Sequence, residues 1–146
     1  MPDISKWDIS SVKNISFLFC GCTNLDKLPD ISKWDTNSIT DISYLFSECT
    51  SLVSIPDISK WNTKKIINMS YLFSSCYSLL TLPDISIWET SSVSNIIGMF
   101  YKCLSLAVIP DISKWNTNNL VEMNNLFTEC KKSLIFLILV NGIFIK

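Results

Sequence analysis

The sequence predicts an α/β repeat solenoid: five 27-residue coils, each with a short parallel strand and a short helix. Three observations predict it. Trp7, Trp34, Trp61, Trp88 and Trp115 recur at a fixed interval of 27, as do Pro2, Pro29, Pro56, Pro83 and Pro110, and Phe19, Phe46, Phe73, Phe100 and Phe127. The first part of each unit carries β-branched residues and a proline, as in Leu52–Trp61, LVSIPDISKW. The second part places apolar residues at 66, 69, 72, 73 and 76, a spacing that falls on one face of a helix. A unit this short cannot bury its own apolar face, so stacking on neighbours must build the core.

Within a unit, the strand is expected around Leu52–Ile55. Pro56 has no N–H to give a ladder, so it marks a bend, and an extended segment runs on to Trp61. Asn62–Lys65 has turn and cap composition. Ile66–Cys76 is then the helix, of roughly three turns, and Ser38, Ser92 and Asn119 stand where an N-cap belongs in other copies. Cys22, Cys49, Cys76, Cys103 and Cys130 follow the repeat Phe by three residues. One thiol per unit in a fixed apolar phase reads as a small core residue, because zinc sites and disulfide frameworks use short clustered spacings. Cys20 alone lies outside the register. The solenoid spans residues 1–130, with repeats starting near 2, 29, 56, 83 and 110, and 131–146 form a separate apolar C-terminal segment.

Composition narrows the function. The chain has 146 residues, 48% hydrophobic and 17% charged, with a formal net charge of −1. All twelve basic residues are lysines, and histidine and arginine are absent. Arginine is the usual fork for phosphate and base edges, and histidine the commonest general acid–base. The reading is therefore no enzyme, no cofactor, no metal site and no nucleic-acid partner.

The string D-I-S-x-W-x-T, followed by V/I-x-N/D-I/M-S-x-L/M-F-x-x-C-x-x-L, resembles the BspA-like leucine-rich repeat surface protein family, with Cys49-Thr-Ser-Leu52, Cys76-Tyr-Ser-Leu79 and Cys103-Leu-Ser-Leu106 carrying its C-x-x-L step. The resemblance covers about residues 1–130. It implies a leucine-rich-repeat-like coil and a surface, adhesive or recognition role, with location at the cell surface or outside it. The glycine often found before the repeat Cys in that family stands here only as Gly21; Glu48, Ser75, Lys102 and Glu129 replace it elsewhere. Met1 falls inside a repeat with no apolar leader, so the expectation is either a chain that stays inside the cell or part of a longer array.

After Cys130 the register breaks. Leu134–Ile145, LIFLILVNGIFI, is 12 residues long, against the roughly 20 a spanning helix needs. The favoured reading is a last strand with Asn141-Gly142 as its turn; membrane association or a truncated anchor is the less favoured one, and an accident of the gene model the third.

Three constellations are candidates for function. Asp3, Asp30, Asp57, Asp84 and Asp111 form a column beside Ser5, Ser32, Ser59, Ser86 and Ser113, read as bend-capping rather than as a calcium ladder. Asn14-Ile-Ser16 and Asn68-Met-Ser70 match the glycosylation pattern, short enough to arise by chance. The column Phe17, Tyr44, Tyr71, Gly98, Asn125 varies between copies and sets three aromatics in a row; with Tyr77 and Tyr101 it forms the expected partner-binding surface. The function expected is a recognition or adhesion module for a protein or glycan, the alternative being a spacer fragment of a longer surface array. Open ends of such a stack also point to end-to-end self-association.

Overall fold

The computed structural model describes residues 3–108 and 111–131. Each 27-residue unit is a succession of tight turns, begun in the first three units at three places by the same device. In the first unit Asp3, Asp8 and Asn14 each accept, through Oδ1, the backbone N–H of the serine two residues on, at 3.0, 3.0 and 2.7 Å. Asp30, Asp35 and Asp41 accept from Ser32, Asn37 and Ser43 in the second unit at 2.9, 3.0 and 2.8 Å, and Asp57, Asn62 and Asn68 from Ser59, Lys64 and Ser70 in the third at 3.0, 3.1 and 3.0 Å. Such side-chain acceptance bends the chain without backbone pairing. The residue between acceptor and donor points inward: Ile4, Ile9 and Ile15, then Ile31, Thr36 and Ile42, are all buried.

The predicted α/β architecture is overturned. Among the described residues there is no helix and no sheet; pairing consists of isolated parallel bridges, Asn14 with Asp41, Asp41 with Asn68, Asn68 with Asn95, Asn95 with Glu122, and Ser54 with Thr81. The expected helix at Ile66–Cys76 is a run of overlapping turns in which Leu72, Ser74 and Cys76 donate to Met69, Tyr71 and Phe73 at 3.3, 3.1 and 3.3 Å. Each bond reaches back three residues, and Tyr71 and Ser75 sit at φ of 54° and 57°, which a right-handed helix cannot contain. Apolar residues three apart suit a helix face, and they suit the inward corners of successive turns equally well. The expected caps do other work: Ser92 Oγ donates to Lys64 O at 2.7 Å, and Asn119 Nδ2 to Ser91 O at 2.6 Å, both in the preceding unit. The expected strand at Leu52–Ile55 reduces to the Ser54 bridge, because Pro56 has no donor to extend it. A leucine-rich-repeat-like solenoid is thus not the fold. The expected last strand, Leu134–Ile145, lies outside the described residues.

Units stack through two opposed sets of bonds. Ile15, Phe17, Phe19 and Gly21 donate their N–H groups to Asp41, Ser43, Leu45 and Ser47 of the next unit at 2.9–3.1 Å. The amides between them, at Leu18 and Cys20, turn back to Ile15 and Phe17. So alternate amides join neighbours while the others close turns, and the same pattern starts again at Ile42, at Met69 and at Ile96. The indole and thiol groups bond the other way. The indole N–H of Trp34, Trp61, Trp88 and Trp115 donates to the carbonyl of Ile4, Ile31, Ile58 and Ile85 of the preceding unit at 3.0–3.2 Å. Cys49, Cys76, Cys103 and Cys130 Sγ donate to Phe19, Phe46, Phe73 and Phe100 O at 3.0–3.1 Å. Consecutive repeat Phe rings stack at 5.3–5.8 Å, and Trp7, Trp34 and Trp61 at 6.3 Å.

Candidate interaction surface

The first turn of each run, residues 15–18 and its copies, needs a left-handed residue at its third position. That position holds Phe17, Tyr44, Tyr71, Gly98 and Asn125, with φ of 61°, 56°, 54°, 56° and 60°. Glycine and asparagine adopt this conformation cheaply, whereas other L-residues lose about 1–2 kcal/mol. The three aromatics recover part of this by stacking on one another. Phe17 and Tyr44 rings lie 4.5 Å apart at 8°, and Tyr44 and Tyr71 rings 4.8 Å apart at 21°. An offset pair contributes about 0.5–1.5 kcal/mol beyond its buried area. The ladder stops at Gly98, where the Tyr71 ring occupies the space a β-carbon would take. Phe17 is 55% exposed; Tyr44 and Tyr71 are half-buried. Burial raises the Tyr44 hydroxyl pKa, with smaller contributions from Tyr71 and Cys20.

The ladder therefore presents ring edges and two hydroxyl groups outward. Both faces of Tyr44 are covered by its neighbours. Only Phe17 offers a free face, at the N-terminal end.

Tyr77 and Tyr101 form a second cluster around Lys102. The Lys102 ammonium lies 5.1 Å from the Tyr101 ring centroid and 3.7 Å from Glu129 Oε1, and Tyr101 Oη donates to the same carboxylate at 3.2 Å. The Tyr101 hydroxyl first, then Glu129, hold the Lys102 pKa above its ordinary value. Tyr77 is exposed and close enough to add to that effect.

The aspartate column is occupied with the backbone. The Ser5, Ser32, Ser59 and Ser113 hydroxyls first, then the backbone amides of the same serines, lower the pKa of Asp3, Asp30, Asp57 and Asp111. Among the described residues no three His, Cys, Asp or Glu side chains converge as a metal site requires. The cysteines are unpaired. Burial raises the Cys49 thiol pKa to about 12 and that of Cys130 to about 11, and lifts Cys76 and Cys103 well above the ordinary value.

Two surfaces were not anticipated. An outer strip turns apolar along the stack: Thr23, Asp26 and Lys27 of the first unit become Tyr77, Leu80 and Thr81, then Leu104, Ala107 and Val108. Val53, Leu80, Leu104 and Val108 are exposed there. Aligning the copies shows this drift, but only the fold tells that the positions face outward. The second surface is a depression of about 460 Å³ at the N-terminal end, lined by Trp7, Ile9, Val12, Ile15, Ser16 and Leu18. No helix of the described residues is long and apolar enough to cross a membrane.

Residues 1–83 and 53–134 match the family described as Mycoplasma protein of unknown function, DUF285. No curated protein and no solved structure matches the chain.

Proposed function

The chain belongs to the family described as Mycoplasma protein of unknown function, DUF285, and from that premise we propose that it is a non-catalytic recognition module of the cell surface, binding a protein through the lateral edge of the Phe17–Tyr44–Tyr71 ladder. The surface location rests on the resemblance of its repeat string to that of BspA-like surface proteins, a resemblance of sequence and not of leucine-rich-repeat architecture. The observation that carries the binding role is the ladder itself: aromatic rings stand at three left-handed positions where Gly98 and Asn125 serve two other units. Costly residues kept at strained positions are a reason to look for function. Outward ring edges and hydroxyls favour a protein over a glycan, because sugars stack on ring faces and those of Tyr44 are used internally. The absence of histidine and arginine supports a role without catalysis.

The test is binding of the chain to an array of immobilised cell-surface proteins and to a glycan array, compared with a Tyr44→Ser, Tyr71→Ser variant. Protein binding lost in the double variant, with the thermal transition of the chain still cooperative, is the expected result. Binding to glycans alone, or protein binding untouched by the double change, refutes it.

A further inference from the structure

We propose that the chain associates head to tail, the N-terminal face of one copy receiving the last described unit, residues 111–131, of a second copy. The interior of the stack shows what each face is built to meet. Leu45, Leu72 and Met99 are fully buried by the unit before them, whereas the equivalent Leu18 is 40% exposed. Trp34, Trp61 and Trp88 are 4% exposed, whereas Trp7 is 48% exposed and its indole N–H has no acceptor among the described residues. At the other end Met123 is 36% exposed, where Ile42, Met69 and Ile96 are buried.

The polar groups match as the apolar ones do. Continuing the interior register, the amides of Met123, Asn125, Phe127 and Glu129 in the second copy meet the carbonyls of Asn14, Ser16, Leu18 and Cys20 in the first. Among the described residues those four amides have no acceptor. In return, Trp7 Nε1–H meets Ile112 O and Cys22 Sγ–H meets Phe127 O, as Trp34 and Cys49 meet Ile4 and Phe19 inside the stack. Phe127 stacks on Phe19, and Trp115 comes over Trp7 and closes the N-terminal depression. The contact is the interior interface continued between copies, so the occupant it fits is another unit of this repeat. Because each face pairs with the opposite one, the assembly is open and linear, not a closed dimer.

Sedimentation of the 146-residue chain over a wide concentration range tests this. The wild type gives species that grow past dimer with concentration. Leu18→Glu, on the N-terminal face, and Met123→Glu, on the opposite face, are each monomeric. Mixing the two restores one intact interface per pair and gives a dimer that grows no further. Trp7→Lys, at a side chain already half exposed, repeats the N-face arm if Leu18→Glu lowers the melting temperature. A wild type that stays monomeric, a Met123→Glu variant that dimerises alone through N-terminal faces, a Leu18→Glu variant that dimerises alone, or a mixture of folded variants that stays monomeric each overturns the proposal.

Discussion

A left-handed backbone position filled by anything but glycine or asparagine stores conformational energy, and this chain has two such columns. At the second, Glu48, Ser75, Lys102 and Glu129 have φ of 57–60°, with Gly21 in the first copy at 71°. Glu48 is exposed, so Glu48→Gly relieves strain without loss of packing. After the entropy cost of glycine it should stabilise the fold by about 0.5–1 kcal/mol, seen as a higher urea midpoint with an unchanged slope. Gly98→Ala runs the other way. The new methyl group enters the Tyr71 ring at a positive φ, at a cost of about 2–4 kcal/mol. Adding Tyr71→Ser should return part of that loss; an equal loss in both backgrounds excludes the ring contact as its cause. The sequence held only traces of this column pair. Gly21, Gly98 and Asn125 were visible, but Phe17, Tyr44 and Tyr71 in the same phase read as ordinary outward residues, since nothing in an aromatic side chain announces a positive φ.

At the scale of the turn, the repeat period and the inward residues were legible and the backbone path between them was not. Ile66, Met69, Leu72, Phe73 and Cys76 are all buried, as a helix face would have had them. The choice between helix and turns lies in where each amide points, and side-chain spacing does not report that. That Phe17, Tyr44 and Tyr71 stand in one column was legible too, from the 27-residue period. Tyr77 and Tyr101 gather instead on Lys102, because the chain turns sharply again after Ser75. Turn-level bonds make a further prediction. Thr36 Oγ1 accepts the Asn62 N–H at 2.8 Å and donates to Asn62 O at 3.3 Å, while Thr63 Oγ1 only donates, to Glu89 O at 2.9 Å. Thr36→Val strands a buried-edge amide and should cost about 1–3 kcal/mol. Thr63→Val leaves only a carbonyl short of one bond and should cost less, with calorimetric melting of the pair deciding. Trp61→Ala should cost about 3–5 kcal/mol, for the lost ring and for the lost indole bond to the Ile31 carbonyl, which keeps only the Trp34 amide. Trp7→Ala should cost clearly less, because that ring is already 48% exposed. Equal losses at Trp7 and Trp61 would contradict a core shared between neighbouring units.

For the whole molecule, pH sets limits at both extremes. The buried thiols have their folded pKa raised from an ordinary value of 9.0, to about 12 for Cys49. A raised thiol pKa favours folding fully below the unfolded value, and that contribution is lost as pH climbs through 9.0 toward about 12. The lowered Asp3, Asp8, Asp30, Asp57 and Asp111 act in reverse: their contribution is present above the unfolded value of 3.8 and lost as pH falls through it. With no histidine to titrate between, the urea midpoint should hold steady from about pH 5 to about pH 8. Cys49→Ala should flatten the alkaline fall, and an unchanged alkaline slope would remove the thiols from the explanation.

The bonds between units, alternate amides of each run forward, and indole groups, thiol groups and amides such as those of Thr40 and Ile67 backward, join each unit to its immediate neighbours. Under tension such a chain behaves like thread on a spool. Pulled from its ends, it should not rupture once; it should pay out one winding at a time, the end windings first because each is gripped on one side only. A winding of 27 residues is about 90–97 Å of extended chain. A force–extension trace of the tethered protein should therefore show a sawtooth of near-equal steps of that contour length. For a molecule exposed to drag, that is a means of lengthening under load while the windings still in place keep their shape.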